Sequence, residues 1–201
     1  MFKKSLVVTM VALIAACFAG TAFADIVCPD SSYCVVTFAD ARNRVTIAPA
    51  NGETFAATGI TIKVYLKNCF GAPLVGVPAQ EVVIFNSALC ICPGGNTADA
   101  ATDVNGCTEF SGTIRGGGCV ESLDIFADGV YICTIPVKTN SPDHVPASPC
   151  FVDAADISGL AFVLGRSDRY DICKDYNESG PPTVNAGDVS FFAAYLGTAC
   201  Q

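Results

Sequence analysis

The heptapeptide ITIKVYL, residues 60–66, alternates apolar and polar side chains without a break. In an extended chain Ile60, Ile62, Val64 and Leu66 fall on one side, and Thr61, Lys63 and Tyr65 on the other. A period of two belongs to a strand with one buried and one wet face. Outward from it, between Ser32 and Lys138, the pattern stays strand-like. Residues 45–48, 82–85, 108–114, 123–126 and 131–137 are further short apolar or alternating runs. Turn signals separate them: Asn51-Gly52, Gly71-Ala72-Pro73, Pro93-Gly94-Gly95, Asn105-Gly106, Gly116-Gly117-Gly118 and Asp128-Gly129. Short strands with a turn every ten residues or so predict a mainly β fold, a β-sandwich. About 110 residues of this kind can close a core by themselves. Asp128-Gly129, between LDIFA and VYICT, predicts a tight hairpin.

The start of the chain reads differently. Lys3 and Lys4 precede an apolar run over residues 5–20, and Ala22-Phe23-Ala24 is a small-x-small cleavage site before Asp25. Residues 1–24 therefore read as a secretory signal peptide. A lipoprotein signal, with Cys17 after Ile14-Ala15-Ala16, is the rival reading. No later apolar stretch approaches the roughly 20 residues of a membrane span. Without its leader the chain's formal charge falls from −8 to −10, as two lysines leave. Such acidity argues against nucleic acid and anionic membranes as partners. Of 12 cysteines, 11 remain beyond the leader. In an exported chain that density predicts disulfides, with at least one cysteine free or paired with another chain. Cys90-x-Cys92 is one residue short of a zinc knuckle, and no histidine lies near it in sequence.

Residues 136–149, PVKTNSPDHVPASP, read as a linker, with the lone histidine His144 exposed in it. Beyond it lies a repeat. Residues 152–165, VDAADISGLAFVLG, align with residues 184–197, VNAGDVSFFAAYLG, at an offset of 32 and with seven of 14 positions identical. Each copy predicts a helix, with Asp156 or Asp188 at its start and Gly165 or Gly197 as its stop. Ile157, Leu160, Val163 and Leu164 make one apolar face; Val189, Phe192, Tyr195 and Leu196 make the other. Before the second helix Asp175, Asn177 and Ser179 alternate, Gly180 supplies a turn, and Asp188 closes the set. Alternating oxygen-bearing side chains around a turn suit a hard cation, Ca²⁺. In the first copy Val145 and Ala147 stand where Asn177 and Ser179 do, which leaves a weaker first site of Asp143, Asp153 and Asp156. Cys173 and Cys200 flank the second loop and helix, and a disulfide between them is expected.

The second loop and its helix resemble the repeat of a dockerin, D-x-N-x-D-G-x-V-N-x-x-D followed by a helix. Ser179 departs from the usual carboxylate. Pro181-Pro182 put Asp188 at the fourteenth position from Asp175 instead of the twelfth. The duplication strengthens the resemblance. KNCFGAPLVGVPAQEVVIF with ATDVNGCTEFSGTI is similar to bacterial Ig-like domains of the invasin type, carried by Gly71, Pro73, Gly76, Val82 and residues 102–106. Together these imply an Ig-like β-sandwich over residues 25–138 and a dockerin-like, calcium-binding module over residues 139–201. The implied function is that of an exported, secreted or surface-displayed, non-catalytic interaction or assembly protein. Its partner would be a cohesin-like protein, met near Ala154-Ala155 and Ala186-Gly187, or the chain's own Ig-like domain. The alternative is an accessory component or enzyme of extracellular polysaccharide degradation, yet no carboxylate pair sits in a catalytic motif. The chain has no tryptophan and its tyrosines are scattered, so no sugar-stacking platform is evident.

Overall fold

The computed structural model describes residues 26–50, 52–144, 150–169, 171–176 and 183–200. The fold is mainly β. One antiparallel sheet runs in the order β1 (Tyr33–Phe38), β3 (Ile60–Tyr65), β6 (Cys107–Phe110), and a second in the order β4 (Val82–Phe85), β8 (Leu123–Ala127), β9 (Val130–Ile135). The alternation of residues 60–66 is realised as read: Ile60, Ile62, Val64 and Leu66 are buried, while Thr61, Lys63 and Tyr65 face outward. They share one core with Val82, Ile84, Leu123, Ile125 and Ala127 from the second sheet. The β8–β9 hairpin turns on Asp128 and Gly129, whose φ angles are +49° and +73°. That pair of positive angles is the twist-matched two-residue turn the Asp-Gly signal calls for.

Two short ribbons complete the body. β2 (Arg44–Thr46) pairs in parallel with β10 (Lys138–Asn140), and β5 (Cys90–Ile91) pairs with β7 (Gly116–Gly117). Three expectations are corrected here. The sequence of β1, YCVVTF, does not alternate apolar and polar residues and lies outside the expected runs; it is an edge strand, tied to β9 by Cys34–Cys133. Gly116 and Gly117 form a strand, not a turn, because a neighbour passes where side chains would be: a Cβ on Gly116 would lie 2.2 Å from the Cys90 carbonyl oxygen. Residues 136–144 are not an exposed linker. Val137, Thr139, Asn140, Ser141 and Asp143 are all buried, and β10 crosses the expected boundary at 138/139 to pair with the body.

The tail forms α1 (Ala154–Val163) and α2 (Ala186–Ala193) around a second small core of Val152, Leu160, Val163, Tyr176, Val184 and Phe192. Asp156 and Asp188 lie at the third helical position instead of at the start, because Asp153 and Asn185 take the capping role. The predicted apolar faces divide. Leu160, Val163 and Phe192 turn inward, whereas Ile157, Leu164, Val189 and Leu196 remain exposed.

The cysteine pairing also differs from expectation. Cys173 pairs with Cys119 and Cys200 with Cys92, so the expected Cys173–Cys200 disulfide is not formed. Cys90 pairs with Cys150, Cys28 with Cys69, and Cys107 stays free. The reason is geometric. Cys90 and Cys92, two residues apart in an extended segment, point the same way, and the tail lies on that side. Polar contacts reinforce the docking: Arg44 donates to the Ile172 carbonyl at 3.2 Å and Asn140 to the Asp175 carbonyl at 3.2 Å.

Candidate metal-binding loops

Each copy of the repeat begins with an aspartate, Asp143 or Asp175, and a ring beside it, His144 or Tyr176. Asp153 and Asn185 cap the helices by accepting the N–H groups of Ala155 and Gly187, both at 2.7 Å. Asp156 and Asp188 complete the capping boxes. One carboxylate oxygen of each accepts the cap residue's own N–H, from Asp153 at 3.0 Å and from Asn185 at 2.8 Å. The other oxygen reaches back to the loop's start, accepting the N–H of His144 at 3.0 Å and of Tyr176 at 2.8 Å. A single carboxylate therefore ties the first residues of each loop to the first turn of its helix, where the helix dipole favours negative charge. Asp143, Asp156, Asp175 and Asp188 are all at most 4% exposed.

The copies clasp each other through reciprocal backbone bonds. Gly165 donates its N–H to the Val184 carbonyl at 2.8 Å, and Gly197 donates to the Val152 carbonyl at 2.9 Å. Between the copies, the Tyr176 hydroxyl lies 3.3 Å from His144 Nδ1 and 3.3 Å from the Ser141 carbonyl oxygen. The Tyr176 ring stacks on Phe191, with centroids 5.2 Å apart. The matching space over α1 belongs to His144, because Gly159 has no side chain there; a Cβ would come within 2.5 Å of His144 Nε2. Burial pushes the Tyr176 phenol well above its usual range and the His144 imidazole below its own. His144 is thus a half-buried packing group instead of the exposed linker residue expected.

The expected ligands are brought together in part. Asp175 and Asp188 lie buried at the ends of the second loop; Asn177 and Ser179 lie outside the described residues. In the first loop Asp143 and Asp156 are near enough for charge coupling. Burial first, and the Asp156 charge second, push the Asp143 carboxyl up to about 6. It accepts the Phe151 N–H at 3.2 Å and lies directly on Gly117, where a Cβ would be 2.3 Å from its Oδ2. Asp153 is exposed and serves as the helix cap. Among the described residues, the groups of three side chains spaced for a metal are Cys92, Cys150 and Cys200, and Cys90 and Cys150 with Asp143; the expected first-site set of Asp143, Asp153 and Asp156 does not form one. All four cysteines are in disulfides, which removes thiolate chemistry and the zinc reading of Cys90-x-Cys92.

No family model matches the chain. Nor does any curated protein. Among solved structures, the filamin domain of Lin-41 is similar over 57% of this chain and 95% of that domain, at 20% identity and a TM-score of 0.31. An overlap that loose carries neither fold nor function.

Sequence reasoning missed the His144–Tyr176 contact. The signal was present: the 32-residue offset, extended upstream, sets Asp143-His144 against Asp175-Tyr176. Gly117 offered no such signal, since only the docked tail shows why a side chain is excluded there.

Proposed function

We propose that the chain is an exported, non-catalytic calcium-binding interaction protein, an Ig-like body carrying a dockerin-like tail. One observation carries this reading: a duplicated loop–helix unit that buries carboxylates at both ends of each loop, Asp143 with Asp156 and Asp175 with Asp188. The fit to a cation is chemical. Carboxylates out of water need positive charge or protons, and Asp143, at about 6, holds its proton more tightly than an ordinary aspartate. A Ca²⁺ ion would supply that charge and draw each loop against its helix start. The second loop, with Asp175, Asn177, Ser179 and Asp188, is the stronger site; the first lacks side-chain oxygens at Val145 and Ala147. Two sheets sharing one core support the Ig-like body, and five disulfides suit an oxidising, extracellular setting. Among the described residues no helix is long and apolar enough to cross a membrane. The exposed pairs Ile157 with Val189 and Leu164 with Leu196, each 32 residues apart, suit a protein partner on the tail's outer side.

Calorimetric titration of the whole chain tests the calcium reading. One strong site is expected, lost in Asp175→Asn and Asp188→Asn. At free Ca²⁺ a hundred times the dissociation constant, stabilisation should be about 2.7 kcal/mol. No calcium heat, together with a melting midpoint unmoved by chelator, would overturn it.

A further inference from the structure

The outer face of the first sheet carries a feature invisible in the linear sequence. Tyr33 on β1, Tyr65 on β3 and Cys107 on β6 stand directly opposite one another across the three strands. The Tyr33 and Tyr65 rings stack, with centroids 4.9 Å apart and planes 16° from parallel, and Tyr33 remains 44% exposed. With Lys63, Lys67, Pro73, Asp103 and Asn105 they line an open cleft of about 530 Å³. Its polar groups are held in place. Asp103 accepts the N–H groups of Asn105 at 2.8 Å and Cys107 at 2.9 Å, and Lys67 lies 5.2 Å from the Tyr33 ring centroid.

The lining selects among ligand classes. A purely apolar ligand would leave two ammonium groups, a carboxylate and an amide without use. A ligand chosen for its charge would meet both signs, since Asp103 lies among the lysines and Glu109, whose Oε2 is 4.0 Å from the Lys63 ammonium, lies beside them. What remains is a ligand that is neutral, both donates and accepts hydrogen bonds densely, and offers C–H groups to the exposed part of the Tyr33 ring. That is the chemistry of a sugar chain, and an open cleft admits a chain segment. We infer that this cleft binds a short neutral saccharide. The site is on the body, away from the carboxylate loops, and stands independently of calcium.

The Cys107 thiol supplies the reporter. The whole oxidised chain is alkylated with iodoacetamide alone and with cellohexaose, xylohexaose, chitohexaose or an oligogalacturonate, each with chelator present. At least one neutral oligosaccharide slows Cys107 alkylation and gives binding heat, and Tyr33→Ala and Lys67→Met each weaken that binding about tenfold. Should Tyr33→Ala shift the melting midpoint, Lys67→Met, which keeps the aliphatic stem, decides. Heat retained in Cys107→Ser shows that the thiol reports on the cleft without making the binding. The inference is overturned if no neutral sugar protects up to about 10 mM, if only the oligogalacturonate does, or if both cleft variants bind unchanged.

Discussion

Asp143 is the residue whose chemistry is most exposed to test. It is 1% exposed, and its carboxyl is pushed up to about 6 by burial and by Asp156. In the unfolded chain an aspartate ionises near 3.8. Between those values the folded state holds a proton that the unfolded state has released. The group's contribution is therefore fully present below pH 3.8 and is lost as pH rises through 6. Two pK units correspond to about 3 kcal/mol at most. In chelator, Asp143→Asn should match wild type near pH 4 and exceed it at pH 7, by denaturant melts at each pH. Equal pH profiles for the two proteins would show that this carboxyl is not strained by burial. Gly116 is a second sensitive position. A Cβ there meets a backbone carbonyl, which cannot rotate away, so Gly116→Ala should cost about 1–3 kcal/mol in the same melts.

Among the elements, the two helices give a paired test. α1 and α2 are short, at 10 and 8 residues, so their ends matter as much as their packing. Each is closed by a capping box with the same geometry, Asp153 with Asp156 and Asn185 with Asp188. Asp153→Ala and Asn185→Ala should each lower stability by about 1 kcal/mol, and by similar amounts. A large inequality would mean that the two copies are not equivalent in solution. The double variant should show additive losses only if the His144–Tyr176 contact does not couple the loops.

For the whole molecule, the decisive feature is the stapling of the tail. Cys90–Cys150, Cys92–Cys200 and Cys119–Cys173 all join the β body to residues beyond β10. The tail should therefore melt with the body in one transition, which calorimetry checks. Removing Cys119–Cys173, whose ends are 54 residues apart, by a double serine substitution should cost about 4 kcal/mol on chain-entropy grounds. Peptide mapping of the unreduced protein checks the pairing directly. A fragment joining Cys173 to Cys200 would contradict this arrangement and restore a self-contained tail.

Local periodicity is written in the chain, because a strand's alternation or a helix's stop depends on a few bonded neighbours. Residues 60–66, the Asp128-Gly129 turn, the 32-residue repeat and the stops at Gly165 and Gly197 were all legible for that reason. The number of cysteines announced disulfides and a thiol left over. Which cysteines meet was not legible, since pairing depends on distances between residues 41 to 108 positions apart. The same holds for the polar stretch before the repeat, whose composition resembles a linker but whose backbone bonds are taken up by β2 and the tail. Tyr33 and Tyr65 looked scattered until strand register set them face to face. Chain-local physics determined the elements; only their docking decided which faces are buried, which sulfurs join and where the cleft lies.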